Sequence, residues 1–344
     1  MFRVILAAIG VLLTLGPASA AQRDLTTREG VLAWINDYRA KPNVRMVPTV
    51  VRAASRLGLL REPESSGIYI GFVAGVIATQ RKPDELIAKF FPIPHDDSWA
   101  LVRAIAYSSH PDWKRLLQAS IVRMPRRRVM IDKYLTGQLP TLAQLVAEKK
   151  PAPWYMRMQQ YARLDKMFSS DEPRKELTLE TSPELLDTLW GYYYATRSET
   201  PIARIIMLLP GVKDKDDLEK LVVGSMAKYT LAMNAARDGE LLDVLKAARP
   251  RQPKEILVIL DDAIDAAETM DTARLRKEAH AAVDDLRRKG PGSRRNVAWW
   301  GQVGEGALAL GCIAAAVAGQ IQFGLPCVVG GAVGSAALKF WARE

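Results

Sequence analysis

His95, His110 and His280 are the three histidines of the chain, and acid–base or metal chemistry would start from them. His95 sits in Pro94-His95-Asp96-Asp97, a polar turn with two carboxylates. Zinc-type sites need clustered nitrogen and sulfur donors, and no second His or Cys lies near this turn, so the sequence supports no metal centre there. His110 precedes Pro111 between two helical runs. His280 and Asp284 are four residues apart, a spacing that gives a surface hydrogen bond on a helix. Asp261, Asp262, Asp265 and Glu268 bring carboxylates together as acid–base sites do. They share a helical run with Ile256, Leu260 and Ile264, so they read as its solvent face. No Walker loop, His-Glu-x-x-His, Gly-x-Ser-x-Gly or Cys-x-x-Cys occurs. The sequence therefore names no catalytic residue, no cofactor and no metal ligand.

Two other groups carry recognition chemistry. Trp190, Tyr192, Tyr193 and Tyr194 crowd one helical run, and Trp154, Tyr155 and Tyr161 another. Such faces bind sugars or peptides, and they also fill cores, the commoner use of aromatic area. Arg123, Arg126, Arg127 and Arg128 form the densest basic cluster before the C-terminal stretch. That cluster suits phosphate, but it lacks the interleaved aromatics of a nucleic-acid surface, so no nucleic-acid partner is expected.

The elements that hold these residues read as helices. Thr26-Thr27-Arg28-Glu29 has the form of a capping box. Val31, Trp34, Ile35 and Tyr38 then recur on one helical face, and Pro42 closes the run. A second helix is expected from about 47 to 57, with Gly58 as its stop. No alternating run is long enough for a sheet, so the expected class is all-α. Residues 65–120 and 182–248 read as two copies of one multi-helix unit, stacked in the manner of a solenoid. Each has an apolar helix with an Ala-Thr exit: Gly75 to Thr79 in one, Gly191 to Thr196 in the other. Each continues with a Pro-initiated helix, from Pro83 and from Pro201, and a closing Pro, Pro92 and Pro210. Thr141 and Gln144 can cap a helix between the copies. Ser182-Pro183 opens the second copy, with Ser at the N-cap and Pro in the first turn. Arg249 to Pro253 is a connector, followed by helices near 254–268 and 271–288.

These signals divide the chain into five parts. Residues 1–20 have the form of a signal peptide, with Arg3, an apolar core from Val4 to Leu15 and Ala18-Ser19-Ala20 at the cleavage site. A helical domain over 21–150 and a second over 151–289 meet at Lys149 to Pro153. Residues 290–298 make a basic hinge and 299–344 an apolar hairpin. Cleavage removes Arg3 alone among charges, so a formal +10 becomes +9. A basic exported chain meets anionic partners first, lipid headgroups or acidic envelope components, and a protein partner is also open.

Residues 306–338 contain no charge. Trp299, Trp300, Phe340 and Trp341 bracket that run, with Arg294, Arg295 and Lys339 among the basic flanks, the pattern of a segment that enters a bilayer. One straight helix over the 39 residues between Trp300 and Phe340 would span about 58 Å, nearly twice a hydrocarbon core of roughly 30 Å. Gly319, Gln320, Gln322, Gly324 and Pro326 mark a turn, so the expectation is a hairpin with arms near 303–319 and 325–339. Ala307, Gly311, Ala315 and Gly319 line one arm at four-residue spacing, and Gly330 and Gly334 the other. The tail resembles bacterial glycine-zipper hairpins. The same composition suits a buried hairpin in a water-soluble all-α protein. A hairpin also leaves both basic flanks on the exported side, the reverse of the positive-inside rule. The whole pattern resembles exported bacterial helical proteins without an assigned activity, so the resemblance brings no site residues.

Cys312 and Cys327 are the only cysteines. Export takes them to an oxidising compartment, and they stand at matched distances from the expected turn, so a disulfide between them is the expectation. The alternative is two buried thiols. The function these readings support is that of a non-enzymatic, exported helical-repeat binding or scaffold protein of the cell envelope, periplasmic or attached to a membrane through its tail. A secreted membrane-perturbing protein of pore-forming type is one alternative. A periplasmic hydrolase using His95 or His110 is another.

Overall fold

A computed structural model describes residues 24–147 and 179–270, together with 277, 278 and 281. The expected signal peptide, the boundary at 149–153, the helix carrying Trp154, Tyr155 and Tyr161, His280 and Asp284, the basic hinge and the whole C-terminal stretch lie outside the described residues. Within them all regular structure is helical, thirteen α-helices with short 3-10 turns between some of them and no strand.

The first segment carries α1 (Arg28–Tyr38), α2 (Val47–Arg56), α3 (Gly67–Thr79), α4 (Pro83–Phe90), α5 (Ser98–Tyr107), α6 (Trp113–Ser120), α7 (Arg128–Leu135) and α8 (Leu142–Leu145). The second carries α9 (Pro183–Thr196), α10 (Thr200–Ile206), α11 (Leu218–Ala235), α12 (Gly239–Ala248) and α13 (Lys254–Glu268).

Local chemistry sets most of the boundaries. Ser182 Oγ accepts from Leu185 N, and Pro183 stands in the first turn of α9. Asp217 caps α11 by accepting from Glu219 N and Lys220 N. Thr141 and Gln144 form a reciprocal capping box on α8. At α1 the cap is one residue later than the motif suggests. Asp24 Oδ1 accepts from both the amide and the hydroxyl of Thr26, at 2.8 and 2.6 Å. Thr26 is thereby folded into a turn with Asp24 ahead of the helix, and Thr27 stands at the cap, accepting from Gly30 N at 3.1 Å. Glu29 consequently stands at the second helical position and closes no box.

Every residue of α3 from Gly67 to Ile77 is buried. A helix apolar on all sides must be surrounded, and α3 is the centre around which the rest is packed. It runs parallel to α9 at very close range. A Cβ on Gly71 would collide with the carbonyl of Thr188, and a Cβ on Gly191 with the carbonyl of Ile68. The two contacts are reciprocal, each glycine resting on the carbonyl three residues before the other. Gly67 extends the seam toward Glu184, and Gly75 toward Tyr192 and Ala195. Stretches 65–120 and 182–248 each form four helices in the same order, α3 to α6 and α9 to α12. Across the seam Gly191 stands opposite Gly71, one helical turn before Gly75.

One continuous core of buried side chains runs from Val31 in α1 to Ala267 in α13 and includes both segments. A smaller cluster of Tyr229, Ala232, Met233, Ala263 and Ala266 joins α11 to α13. Polar ties reinforce the packing, one between the segments and one within the second. Arg103 of α5 pairs with Glu184 of α9 and stacks over Trp99, its guanidinium carbon 4.9 Å from the ring centre. Trp190 Nε1 donates to Thr230 Oγ1 at 3.0 Å, tying α9 to α11. No helix among the described residues is long and apolar enough to cross a membrane.

Candidate binding cleft

Two helix ends and a turn meet beside the α3–α9 seam. They are the C-terminal end of α1, the C-terminal end of α9 and the turn from α11 into α12. Between them lies a polar cleft of about 310 Å³. The α1 end supplies Asn36, Asp37 and Arg39, the α9 end Tyr193, Tyr194 and Arg197, and the turn Asn234, Arg237, Asp238 and Glu240.

Arg39 is the keystone, 7% exposed despite its charge. A buried cation persists only if paired and hydrogen-bonded. Its Nη1 lies 3.2 Å from Asp238 Oδ2 and its Nη2 lies 2.9 Å from Glu240 Oε1. Its guanidinium carbon stands 4.4 Å from the centre of the Tyr193 ring, a cation–π contact. The Tyr193 hydroxyl donates to the same Asp238 Oδ2 at 3.5 Å. Asp238 has a further task. Its Oδ1 caps α12, accepting from Glu240 N at 3.0 Å and Leu241 N at 3.2 Å. One carboxylate thus starts a helix and neutralises a buried arginine on a different segment.

Arg197 closes the third side. It takes the left-handed conformation that ends α9, with φ 59°. That geometry is uncommon for a residue with a Cβ. It sends the side chain back across the cleft, where Nε donates to the Arg39 carbonyl at 3.1 Å. Arg197 and Arg237 are both exposed at the cleft, and Asp37 is half-buried.

Burial raises the Tyr193 hydroxyl pKa first of all, against a lowering influence from Arg39, and Asp238 raises it further. Burial also raises that of Tyr194, with Tyr193 and Asp238 adding to it. Both phenols therefore stay protonated donors at neutral pH. Two atoms of the lining residues, Arg39 Nε and the Tyr194 hydroxyl, are buried without a hydrogen-bond partner among the described residues. Such groups are costly. The cleft is built of guanidinium, carboxylate, amide and phenol groups, which hold a ligand by charge and hydrogen bond.

The residues singled out from sequence are mostly placed elsewhere. Trp190, Tyr193 and Tyr194 are buried and packed on one another, with Trp190 and Tyr194 stacked at 6.0 Å, so that group is mainly core. Tyr193 and Tyr194 nevertheless reach the cleft. Tyr192 is partly buried and donates to the Ser108 carbonyl at 3.0 Å. His110 Nδ1 accepts from Asp112 N, ordering the turn before α6. His95 contributes its backbone carbonyl to Ser98 and Arg127. Asp97, next but one, is 1% exposed and accepts from Ser55 at 2.5 Å, turned to α2 instead. Among the described residues no group of three His, Cys, Asp or Glu is placed to hold a metal. Of the acidic residues of α13, Asp265 and Glu268 are exposed and Asp261 and Asp262 half-buried; Asp261 pairs with Arg249 at 2.5 Å, Glu268 with Lys246 at 2.7 Å and Asp262 with Lys228 of α11.

Sequence reasoning missed Arg39, Arg197, Asp238 and Glu240 as a set. Arg39 and Asp238 are 199 residues apart, so no local spacing joins them. Asp238-Gly239-Glu240 is legible as a helix start, which hides its second role.

No protein-family model, no curated protein and no solved structure matches this chain.

Proposed function

We propose that the chain is a non-enzymatic, exported binding protein of the cell envelope, held at a membrane by its C-terminal stretch, with a helical-repeat body that takes a small polar ligand in the cleft. The observation that carries the binding reading is the Arg39 arrangement. A buried guanidinium fixed by two carboxylates and a phenol makes a rigid floor, and preorganised floors favour recognition. Three arginines and three carboxylates line the cleft, so its formal charge is balanced. A ligand bearing both signs, such as a free amino acid or a peptide end, meets complementary groups there. Its carboxylate would face Arg197 and Arg237, and its ammonium would face Asp37.

The envelope part of the reading rests on the sequence: the leader-like residues 1–20, the uncharged run 306–338 and its aromatic and basic flanks. The α3–α9 seam supports duplication of one four-helix unit, and stacking of such units as a repeat scaffold is part of the proposal. Two measurements test it. Thermal unfolding of the full mature chain is followed against single amino acids, short peptides, dicarboxylates and inorganic phosphate. A rise in midpoint with a zwitterion, absent in Arg197→Ala and Arg237→Ala, supports the cleft, and no rise with any of them counts against it. Fractionation of cells with and without residues 296–344 tests the anchor. Equal release of both forms into the soluble fraction overturns it.

A further inference from the structure

The corner between α6 and α7 has a fixed inner side and an outer side unlike the rest of the surface. Met124 plugs it from within at 2% exposure, and Ile131 of α7 is fully buried. Arg127 is drawn inward. It donates to Ser98 Oγ at 3.2 Å, to the His95 carbonyl at 2.9 Å and to the Asp96 carbonyl at 3.3 Å. The rest of the basic cluster points the other way. Arg123, Arg126 and Arg128 are exposed, and among the described residues only Arg128 is paired with an acidic residue, Asp132 at 3.8 Å. Between them stand Val122, 87% exposed, and Val129, 69% exposed. Val122 is the most exposed large apolar side chain among the described residues. Single exposed aliphatics are ordinary. Two of them on one rigid corner, interleaved with three outward arginines, form a surface with a defined character.

We propose that this corner docks the helical body on an anionic lipid surface. Arginine forks match headgroup phosphates, and each basic residue near such a surface adds attraction. The valines account for the choice of partner. Aliphatic side chains gain by entering the headgroup–acyl boundary, as they do on interfacial helices. A nucleic-acid surface would instead set aromatics among the cations for stacking, and residues 121–133 contain none. The net charge of +10 points the same way. This contact lies on the body and goes beyond the C-terminal anchor.

The test uses the full mature chain and sedimentation with two kinds of vesicle, phosphatidylcholine alone and phosphatidylcholine mixed with phosphatidylglycerol. Binding to the neutral vesicles reads the C-terminal stretch. The extra binding to the anionic vesicles combines the corner with the basic flanks of that stretch, and the part that the corner variants remove reads the corner, so either idea can fail without the other. R123Q/R126Q/R128Q is expected to lower the extra binding about tenfold or more. V122S/V129S is expected to lower it several-fold. All five positions are exposed, so both variants keep their fold, which circular dichroism and the unfolding midpoint check. Equal binding of the wild type to both vesicle types overturns the proposal. So does loss in the arginine variant with none in the valine variant, which would assign the corner to a soluble acidic polymer.

Discussion

Gly71 and Gly191 lie in register across the α3–α9 seam, each filling the space beneath a carbonyl of the opposite helix. Neither helix can bring its backbone so close with a side chain at that point. The seam joins two stretches that the sequence separates widely, and the cleft opens at its end, where Tyr193 and Tyr194 follow Gly191 on α9.

A methyl group at either position is therefore expected to force the helices apart. Gly71→Ala and Gly191→Ala should each lose about 1–3 kcal/mol by urea denaturation, the usual cost of overpacking, despite the better helix propensity of alanine. Gly239→Ala is the opposite case, since nothing lies within 4 Å of its added Cβ. It should be neutral or gain up to about 1 kcal/mol from reduced unfolded-chain freedom. Equal losses at all three sites would rule out the close seam.

Asp238 and Glu240 both pair with Arg39, yet their removal should differ. Glu240 is 68% exposed, so Glu240→Ala should cost about 0–1 kcal/mol. Asp238→Ala removes a helix cap, worth about 1 kcal/mol, and also strips a carboxylate from a buried guanidinium, so a total of about 2–3 kcal/mol is expected. Asp238→Asn separates the two roles, because asparagine caps as well as aspartate and carries no charge. It should recover about the cap's share and no more. Denaturant midpoints of the three variants decide the ranking, and Glu240→Ala being the worst would contradict it.

The elements that sequence reads well are those written in a few adjacent residues. Ser182 and Pro183 start α9, Thr141 and Gln144 start α8, and Gly58 with φ 71° follows α2. The α1 cap shows the limit of such motifs. Thr26 and Glu29 have the right spacing, but Asp24 holds the amide and hydroxyl of Thr26 in a turn ahead of the helix, and the helix starts one residue later. Register between helices is harder still. Gly67, Gly71 and Gly75 recur at four-residue spacing, the small-residue ridge that stands out in the tail, and the same ridge in α3 marks the seam. The cleft was least legible, because pairs such as Arg39 with Asp238 are products of tertiary packing and leave no periodic trace.

Cys312 and Cys327 lie outside the described residues, and their pairing is a chemical expectation from export. Thiol labelling of denatured, unreduced mature protein should find no reactive thiol. A bridge closing so short a loop would stabilise by about 3 kcal/mol in the entropic model, so reduction should also lower the unfolding midpoint. Two reactive thiols per chain would rule the bridge out.

Alkaline pH should unfold the body through its tyrosines. Burial is the largest cause raising the hydroxyl pKa of Tyr38, Tyr69, Tyr107, Tyr134, Tyr192, Tyr193 and Tyr194. For Tyr38 it is pushed up to about 12 from 10.0. A raised folded-state pKa means that the folded chain keeps a proton the unfolded chain has released. The stability this represents is complete below pH 10 and is lost as pH rises through the folded values. Tyrosinate absorbance and helical circular dichroism are then expected to change together above pH 10, as one cooperative step. The Tyr193→Phe variant should lose only its own share of that dependence while keeping the ring beneath Arg39. If most tyrosines instead ionise near pH 10 with the helical signal intact, these hydroxyls are in contact with water and the packing of α3, α5 and α9 around them is wrong.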